Sequence, residues 1–366
     1  MNPEPGPQPA PGGARSGPAG PPDNRRLADL LHAASTEATG HMAQALRRAS
    51  RRALEWPEQA AAVAASGRSL TELAGIGPVL AGTLAAWIAD PPPAPGPDPS
   101  REGFLTLADV RAALAAAPGL RGARGDLQMH TRWSDGAASI REMALAAGER
   151  GYEYLAITDH TQSLKIAGGM DEERLAAQGL EVEAVNAEGG PEVLWSVELN
   201  LDPEGRGDME PAALRRLDLV LGSFHSALRR TEDQTERYLA AVRNPEVHIL
   251  GHPRGRMYGR RVGLTAGWDR VFAEAARLGK AVEVDAFPDR QDLDVGLLRR
   301  AAAAGTLVSV GSDAHHPRQL RYLEYGLGAA ALAGLPRGQI LNFWPAAELR
   351  AWASRLRDEA GRPAPV

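Results

Sequence analysis

Two rhythms of apolar and polar residues divide the chain. From Gly125 nearly to the end, apolar runs of strand length alternate with longer stretches whose apolar residues recur every three or four positions. "DLQMHT" is followed by "SIREMALAAGER", and "YLAITDH" by "DEERLAAQGLEVEAVNA". The runs "VLWSVELNL", "LDLVLGSFHS", "VHILGHP", "AVEVDAF" and "LVSVGSDAHH" follow, with helical spacing at 231–243, 268–279 and 294–304 among them. The pattern predicts an α/β fold of seven strands, all compatible with parallel pairing through helical crossovers. Apolar strands flanked by helices suit a sheet covered on its outer face.

Before Gly125 the rhythm is helical. Residues 25–90 are rich in Ala, Leu and Arg and predict a small helical domain. A Pro-rich linker, "ADPPPAPGPDPSREG", and a short helix, "LADVRAALAAA", fill most of 91–124, and the second domain runs over 125–360. Residues 1–24 are Pro/Gly-rich and too poor in large apolar side chains to fold, so disorder is expected there.

Composition removes some chemistry. The 366 residues contain no cysteine, which excludes disulfides and thiolate metal sites and leaves His, Asp, Glu and Asn as ligands. A net charge of -5 gives no global basic field for nucleic acid, although a local basic groove is compatible with it. No secretory signal pattern and no run of 18 apolar residues is present, so a cytoplasmic protein without a membrane partner is expected.

The strands end in potential metal ligands: His130, His160, Glu198, His225, His252, Asp285, and Asp313 with His315. A single His at a strand end is usually a loop residue with a satisfied hydrogen bond. Ligand-type residues at every strand end are different, because in a parallel barrel those ends converge on one face. Imidazole and carboxylate without sulfur suit Zn, Mn or Fe, and so many donors suit two or three ions, with Glu198 as a natural bridge. Such clusters activate water and clamp the oxygens of a phosphoryl displacement.

"GDLQMHTRWSDG", "YLAITDHTQSLKIAGGMDEERL", "SFHSALR", "ILGHPRGR", "GSDAH" and "ILNFWPAAELRAWA" resemble the motifs of PHP (polymerase and histidinol phosphatase) domains. More narrowly, they resemble the C-terminal PHP domain of bacterial family X DNA polymerases, from about Gly125 to Ala353. The resemblance implies a distorted (β/α)7 TIM-like barrel with a trinuclear site. It implies one metal on Gln128, His130, Glu198 and Asp313, a second on Glu198, His225 and His252, and a third on Asp135, His160 and His315. It assigns the catalytic chemistry to Glu198, His130, Asp313 and His225. Gln128 stands where the family usually has His, and its amide oxygen is a weaker ligand than imidazole. Asp285 stands where the family tends to have Asn and is expected beside the ligands rather than among them.

Arg256 and Arg229 match family positions and, with Lys165, are candidates to hold phosphate. Arg132, Arg260 and Arg261 are weaker candidates. His248 is expected to be structural, His316 a mere neighbour of His315, and His32 and His41 surface residues. "LTELAGIGPVLAGTLAAWI" (70–88) resembles a helix-hairpin-helix. Gly75, Ile76 and Gly77 would turn between two short helices and offer backbone N–H groups to a DNA phosphate without reading sequence. Between the hairpin and the barrel there is little room for a polymerase domain, so nucleotide transfer is not expected. The expected function is a metal-dependent phosphoesterase acting on DNA, as a 3'-5' exonuclease, 3'-phosphatase or abasic-site enzyme in repair. The rivals are a small-molecule phosphatase of the histidinol-phosphatase type and a non-catalytic DNA-binding protein with a degraded metal site.

Overall fold

The computed structural model describes residues 20–360. Most of the segment expected to be disordered, residues 1–19, lies outside them. Its end does not fit the expectation, because Asp23 accepts a hydrogen bond from the Arg26 amide and caps the first helix.

Four helices come first: α1 (Asn24–Glu37), α2 (Gly40–Leu54), α3 (Ala60–Ala65) and α4 (Pro78–Ala89). α5 (Leu107–Ala116) leads to the barrel. There the order is β1 (Gly125–Asp126), α6 (Ile140–Glu149), β2 (Tyr154–Ile157), α7 (Glu172–Ala187), β3 (Glu192–Asn200), α8 (Pro211–Leu214) and β4 (Leu219–Ser223). It continues with α9 (Thr235–Arg243), β5 (Ile249–Leu250), α10 (Trp268–Arg277), β6 (Ala281–Asp285), α11 (Val295–Ala303), β7 (Leu307–Gly311), α12 (Leu323–Ala333) and α13 (Ala346–Ala360).

The seven strands lie side by side in sequence order, every pairing parallel. This is the predicted sheet, and it curls almost to closure. Between β1 and β7 the closure is a single bridge, Met129 to Ala314, reinforced by Asp313 N–H to Gln128 O at 3.1 Å and His130 N–H to Ala314 O at 2.8 Å. The sequence predicts a first strand through Thr131, but only two residues form a regular ladder. Asp126 explains the break: its carboxylate takes the Gln128 amide at 3.3 Å and the Ser312 amide at 3.0 Å, where a ladder would use backbone oxygens.

The helical part is not strung on a free linker. Phe104 and Tyr258, from outside the first four helices, are buried in the same apolar cluster as Leu27, Leu31, Trp56 and Leu84. Tyr325 donates to Leu54 O at 2.8 Å, Arg321 and Tyr322 reach Glu55, and Arg26 holds Pro92 O at 2.8 Å. His32, expected on the surface, is half-buried with its ring edge-on to Tyr258, 6.3 Å between centroids. The hairpin also differs from expectation: its first helix is only the three-residue 3-10 turn Leu70–Glu72. Gly75 turns with φ +82, a conformation that favours glycine, and a Cβ there would crowd Arg52 Cγ at 3.2 Å.

Among the described residues, no helix is long and apolar enough to cross a membrane.

Candidate metal centre

Each strand delivers its terminal side chain to one end of the barrel. The loop after β1 is held by Asp159, whose buried carboxylate accepts from Thr131 N (2.7 Å), Thr131 Oγ1 (2.6 Å), Ser134 Oγ (2.6 Å) and Gln178 Nε2 (2.7 Å). That fixes His130 and Asp135 on either side of it. Asp159 was not singled out in the sequence. Its signal is its place beside His160, on the opposite face of the strand end.

Glu198, 1% exposed, is the centre. Its Oε1 lies 2.6 Å from His252 Nε2 and 3.2 Å from His225 Nε2; its Oε2 lies 3.0 Å from His160 Nδ1 and 3.6 Å from His130 Nε2. Asn200 Oδ1, 3.0 Å from His225 Nδ1, orients that ring. Asp135 Oδ1 faces His315 Nε2 at 3.4 Å and His160 Nε2 at 3.6 Å, and Asp313 Oδ1 is 3.1 Å from His130 Nε2. The rings of His160 and His315 both stack on His130, with centroids 4.4 Å apart. His252 and Asp313 adopt left-handed backbone, φ +20 and +51, a strain that concentrates at functional sites.

The electrostatics call for cations. Burial alone would raise Glu198, but His225, His160 and His252 hold its carboxyl well below the usual range. Burial alone would lower His252, but Glu198 overrides it and lifts the ring to about 10. Neither nitrogen of the fully buried His130 makes a well-formed hydrogen bond, nor does Nδ1 of His160. Buried donors of this kind are normally paired, so these residues fit divalent metal. Two sets, His130–Asp135–His160–His315 and His160–Glu198–His225, bring their donor atoms close enough to share an ion.

Gln128 departs from its expected place. It is fully buried, and its amide lies against the Glu283 carboxyl, with 2.5 Å to Oε1 when Nε2 donates. Burial and the neighbouring Asp285 push Glu283 well above the usual carboxylate range. An amide serves either state of that acid, donating to the carboxylate or accepting from the carboxylic acid. Gly311 makes room for the pair: a Cβ there would fall 2.5 Å from both Gln128 Cβ and Glu283 Oε1. Gln128 is thus the one expected ligand whose polar end is committed elsewhere. Asp285 lies beside the cluster as expected, with Oδ1 accepting the Phe287 amide at 2.8 Å.

The cluster opens into a cavity of about 210 Å³. Arg256 is not on its wall. That guanidinium, 3% exposed, packs over Phe104, donates to Glu102 O at 2.9 Å and pairs with Asp294 at 3.3 Å, so its expected phosphate role is withdrawn. Arg290, missed in the sequence, lines the cavity instead. Its signal was position: it stands in the loop after β6, on the face where the ligands gather. Lys165 and Arg229 are exposed, each next to a cavity-lining residue, Leu164 and Leu228. Arg132 is exposed on Glu142, and His316 caps a 3-10 turn through the Arg318 amide.

A parallel barrel with imidazoles and carboxylates converging at the C-terminal ends of its strands defines a metal-dependent hydrolase class. Residues 126–256 match the PHP domain model. The chain is 30% identical to a probable phosphatase of Caldanaerobacter subterraneus over 202 residues, covering 52% of this chain and 75% of that protein. It is 38% identical over 234 residues to the DNA polymerase/3'-5' exonuclease PolX of Bacillus subtilis, covering 63% of this chain. Of that relative's own length the chain spans only 41%. A solved histidinol phosphate phosphatase from Lactococcus lactis, complexed with zinc, L-histidinol and phosphate, covers 65% of this chain and 94% of its own at 14% identity and a TM-score of 0.38. The chain belongs to the PHP family, and its barrel is a metal-dependent phosphoesterase domain.

Proposed function

We propose that the protein hydrolyses phosphoesters of DNA, as a 3'-5' exonuclease, 3'-phosphatase or abasic-site enzyme, and adds no nucleotides. The observation that carries the reading is a helical unit, bearing the Gly75–Gly77 turn, that shares a buried core with a PHP barrel. The printed activity of the Bacillus relative supports it. Gly75 and Gly77 present the hairpin backbone, while Ile76 already spends its N–H on Leu73 O at 3.1 Å and is 6% exposed, so it is an anchor. Pro78 has no N–H, which leaves Val79 and Leu80 as the first donors of α4.

Divalent metal, when bound, supplies an activated water and offsets charge on the phosphoryl oxygens. His130, Asp135, His160, Glu198, His225, His252, Asp313 and His315 would hold two or three such ions, of Zn, Mn or Fe. Glu198 gathers four imidazoles onto one carboxylate, and Asn200 keeps the His225 ring turned toward it. Arg290 meets a phosphate oxygen at the cavity wall, with Lys165 and Arg229 at the rim. A second reading, a small-molecule phosphatase, is favoured by the probable phosphatases among the relatives.

The test compares wild type and Glu198→Ala on a 3'-phosphorylated oligonucleotide, an abasic oligonucleotide, L-histidinol phosphate and a chromogenic phosphoester. Wild type should act on the oligonucleotides with the higher kcat/KM, and Glu198→Ala should lose roughly two orders of magnitude or more on every substrate. Wild-type rates in a Glu198→Ala preparation free of contaminating phosphatase would end the mechanism. Preference for histidinol phosphate would favour the second reading.

A further inference from the structure

The helical unit carries a second feature besides the hairpin. "ALRRASRRAL" places Arg48, Arg51 and Arg52 at spacings of three and four, on one face of α2. That face lines a cleft of about 390 Å³, whose other wall is Phe287, Asp289, Gln319 and Tyr322 of the barrel.

The cleft carries three arginines against two carboxylates, Glu55 and Asp289, so its charged groups leave a small positive excess although the protein's net charge is negative. Glu55 is already shared between Arg52 at 2.8 Å and Arg321 at 2.9 Å. Among the described residues, neither Arg48 nor Arg51 has a carboxylate within ion-pair distance. The half-buried ring of Phe287 stands edge-on to Tyr322, 5.0 Å between centroids, at the same cleft. Guanidinium groups along a groove with an aromatic ring beside them match how single strands are held: phosphates on the cations, a base on the ring.

The cleft also borders the metal cavity. Asp289 faces the cleft while its neighbour Arg290 faces the cavity. Gln319 faces the cleft while its Oε1 accepts the amide of His315, a cavity residue, at 2.7 Å. One residue's thickness separates the two at both points.

We propose that this cleft is the entry track for a single DNA strand, whose phosphates lie on Arg48, Arg51 and Arg52, whose base packs on Phe287 and whose end reaches the metal cavity past Arg290. The proposal rests on the DNA reading above and specifies the strand and its path.

The test uses the full chain and a fluorescent phosphorothioate oligothymidylate of about twelve residues, which resists hydrolysis. Anisotropy is read over a salt series. Wild type should bind, and Arg48→Ala/Arg51→Ala should bind on the order of tenfold more weakly. The slope of log affinity against log salt should shrink by about 1.4, the value for two lost contacts to a single strand. Arg47→Ala, an exposed arginine of α2 outside the cleft, should stay within about twofold of wild type. Thermal melts confirm that the variants are folded. No binding by wild type, or equal binding and slope in the double variant, would overturn the track. Tighter, Arg48- and Arg51-dependent binding of a blunt duplex would overturn the single-strand assignment. Arginine-dependent binding with no hydrolysis of unmodified, 3'-phosphorylated or abasic oligonucleotide would uphold the cleft and defeat the DNA-hydrolysis reading instead.

Discussion

Lowering the pH should destabilise the protein through His248, a histidine outside the metal cluster. Its side chain is 1% exposed, at the end of the barrel away from the ligands. Nδ1 accepts the Val220 amide at 3.0 Å, so the ring proton of the neutral form sits on Nε2. A second proton would have to go on Nδ1, against the Val220 N–H, and Arg357, 3.5 Å from Nε2, adds a positive charge beside the ring. Burial first, then Arg357 and Lys280, depress the ring from 6.5 to about 3. The sign follows: above pH 6.5 the ring is neutral folded and unfolded, and it has no effect. Below that, the unfolded chain gains a proton that the folded one refuses, so stability falls until the pH reaches the folded value. Between pH 7 and pH 5 the loss is about 2 kcal/mol, approaching about 5 kcal/mol near pH 3. The assay is urea unfolding at both pH values, for wild type and His248→Asn. The Asn oxygen can still accept the Val220 amide but never titrates. Lost packing against Trp352 lowers the variant at every pH alike, so only the change with pH is compared, and titration of the metal ligands cancels. The variant should lose about 2 kcal/mol less than wild type between pH 7 and pH 5. Equal losses would show that His248 is not held neutral.

Gln128→His should raise the number of divalent ions bound per chain, read by elemental analysis after dialysis against fixed metal, because imidazole is the better ligand and Glu283 stands ready to orient it; an unchanged count means that position 128 does not face the cluster. Deleting residues 1–90 should leave hydrolysis of a small phosphoester but lower the melting temperature by on the order of 10 °C, since Phe104 and Tyr258 lose their cover; an unchanged melt would mean that the shared core contributes nothing.

Much of this was written in the chain's pattern. Alternating apolar runs mark all seven strands, and because a strand's terminal side chain reports which face it leaves on, His130, His160, Glu198, His225, His252, Asp313 and His315 could be gathered from sequence alone. What escaped depends on contacts between distant segments. Arg256 and Arg290 both follow strand ends, and nothing local says that Phe104, far upstream, stacks on one and frees the other for the cavity. Glu283 could not be paired with Gln128 until the barrel closed, since Gln128 follows β1, at one end of the sheet order, and Glu283 lies on β6, one strand from the other end. With the pair visible, the missing histidine makes sense: the amide keeps the carboxylate partner that an imidazole ligand would use, while giving up the ligand itself.

The loop after β6 draws these threads together. Arg290 lines the metal cavity and Phe287 and Asp289 the arginine cleft, while Asp285, at the end of β6, is buried. Gln291 exchanges two hydrogen bonds with the Leu105 backbone, at 2.7 and 2.9 Å, and Asp289 O accepts the amide of Tyr258, whose ring is buried in the helical core. A displacement of the helical unit would therefore reach Arg290 through two or three bonded neighbours. The coupling is physical rather than merely spatial, because each link is a hydrogen bond or a buried contact of a residue held at both ends. If a strand lies in the cleft as proposed, whatever holds it there would also brace Arg290, so substrate binding and positioning of that arginine would share one rigid segment.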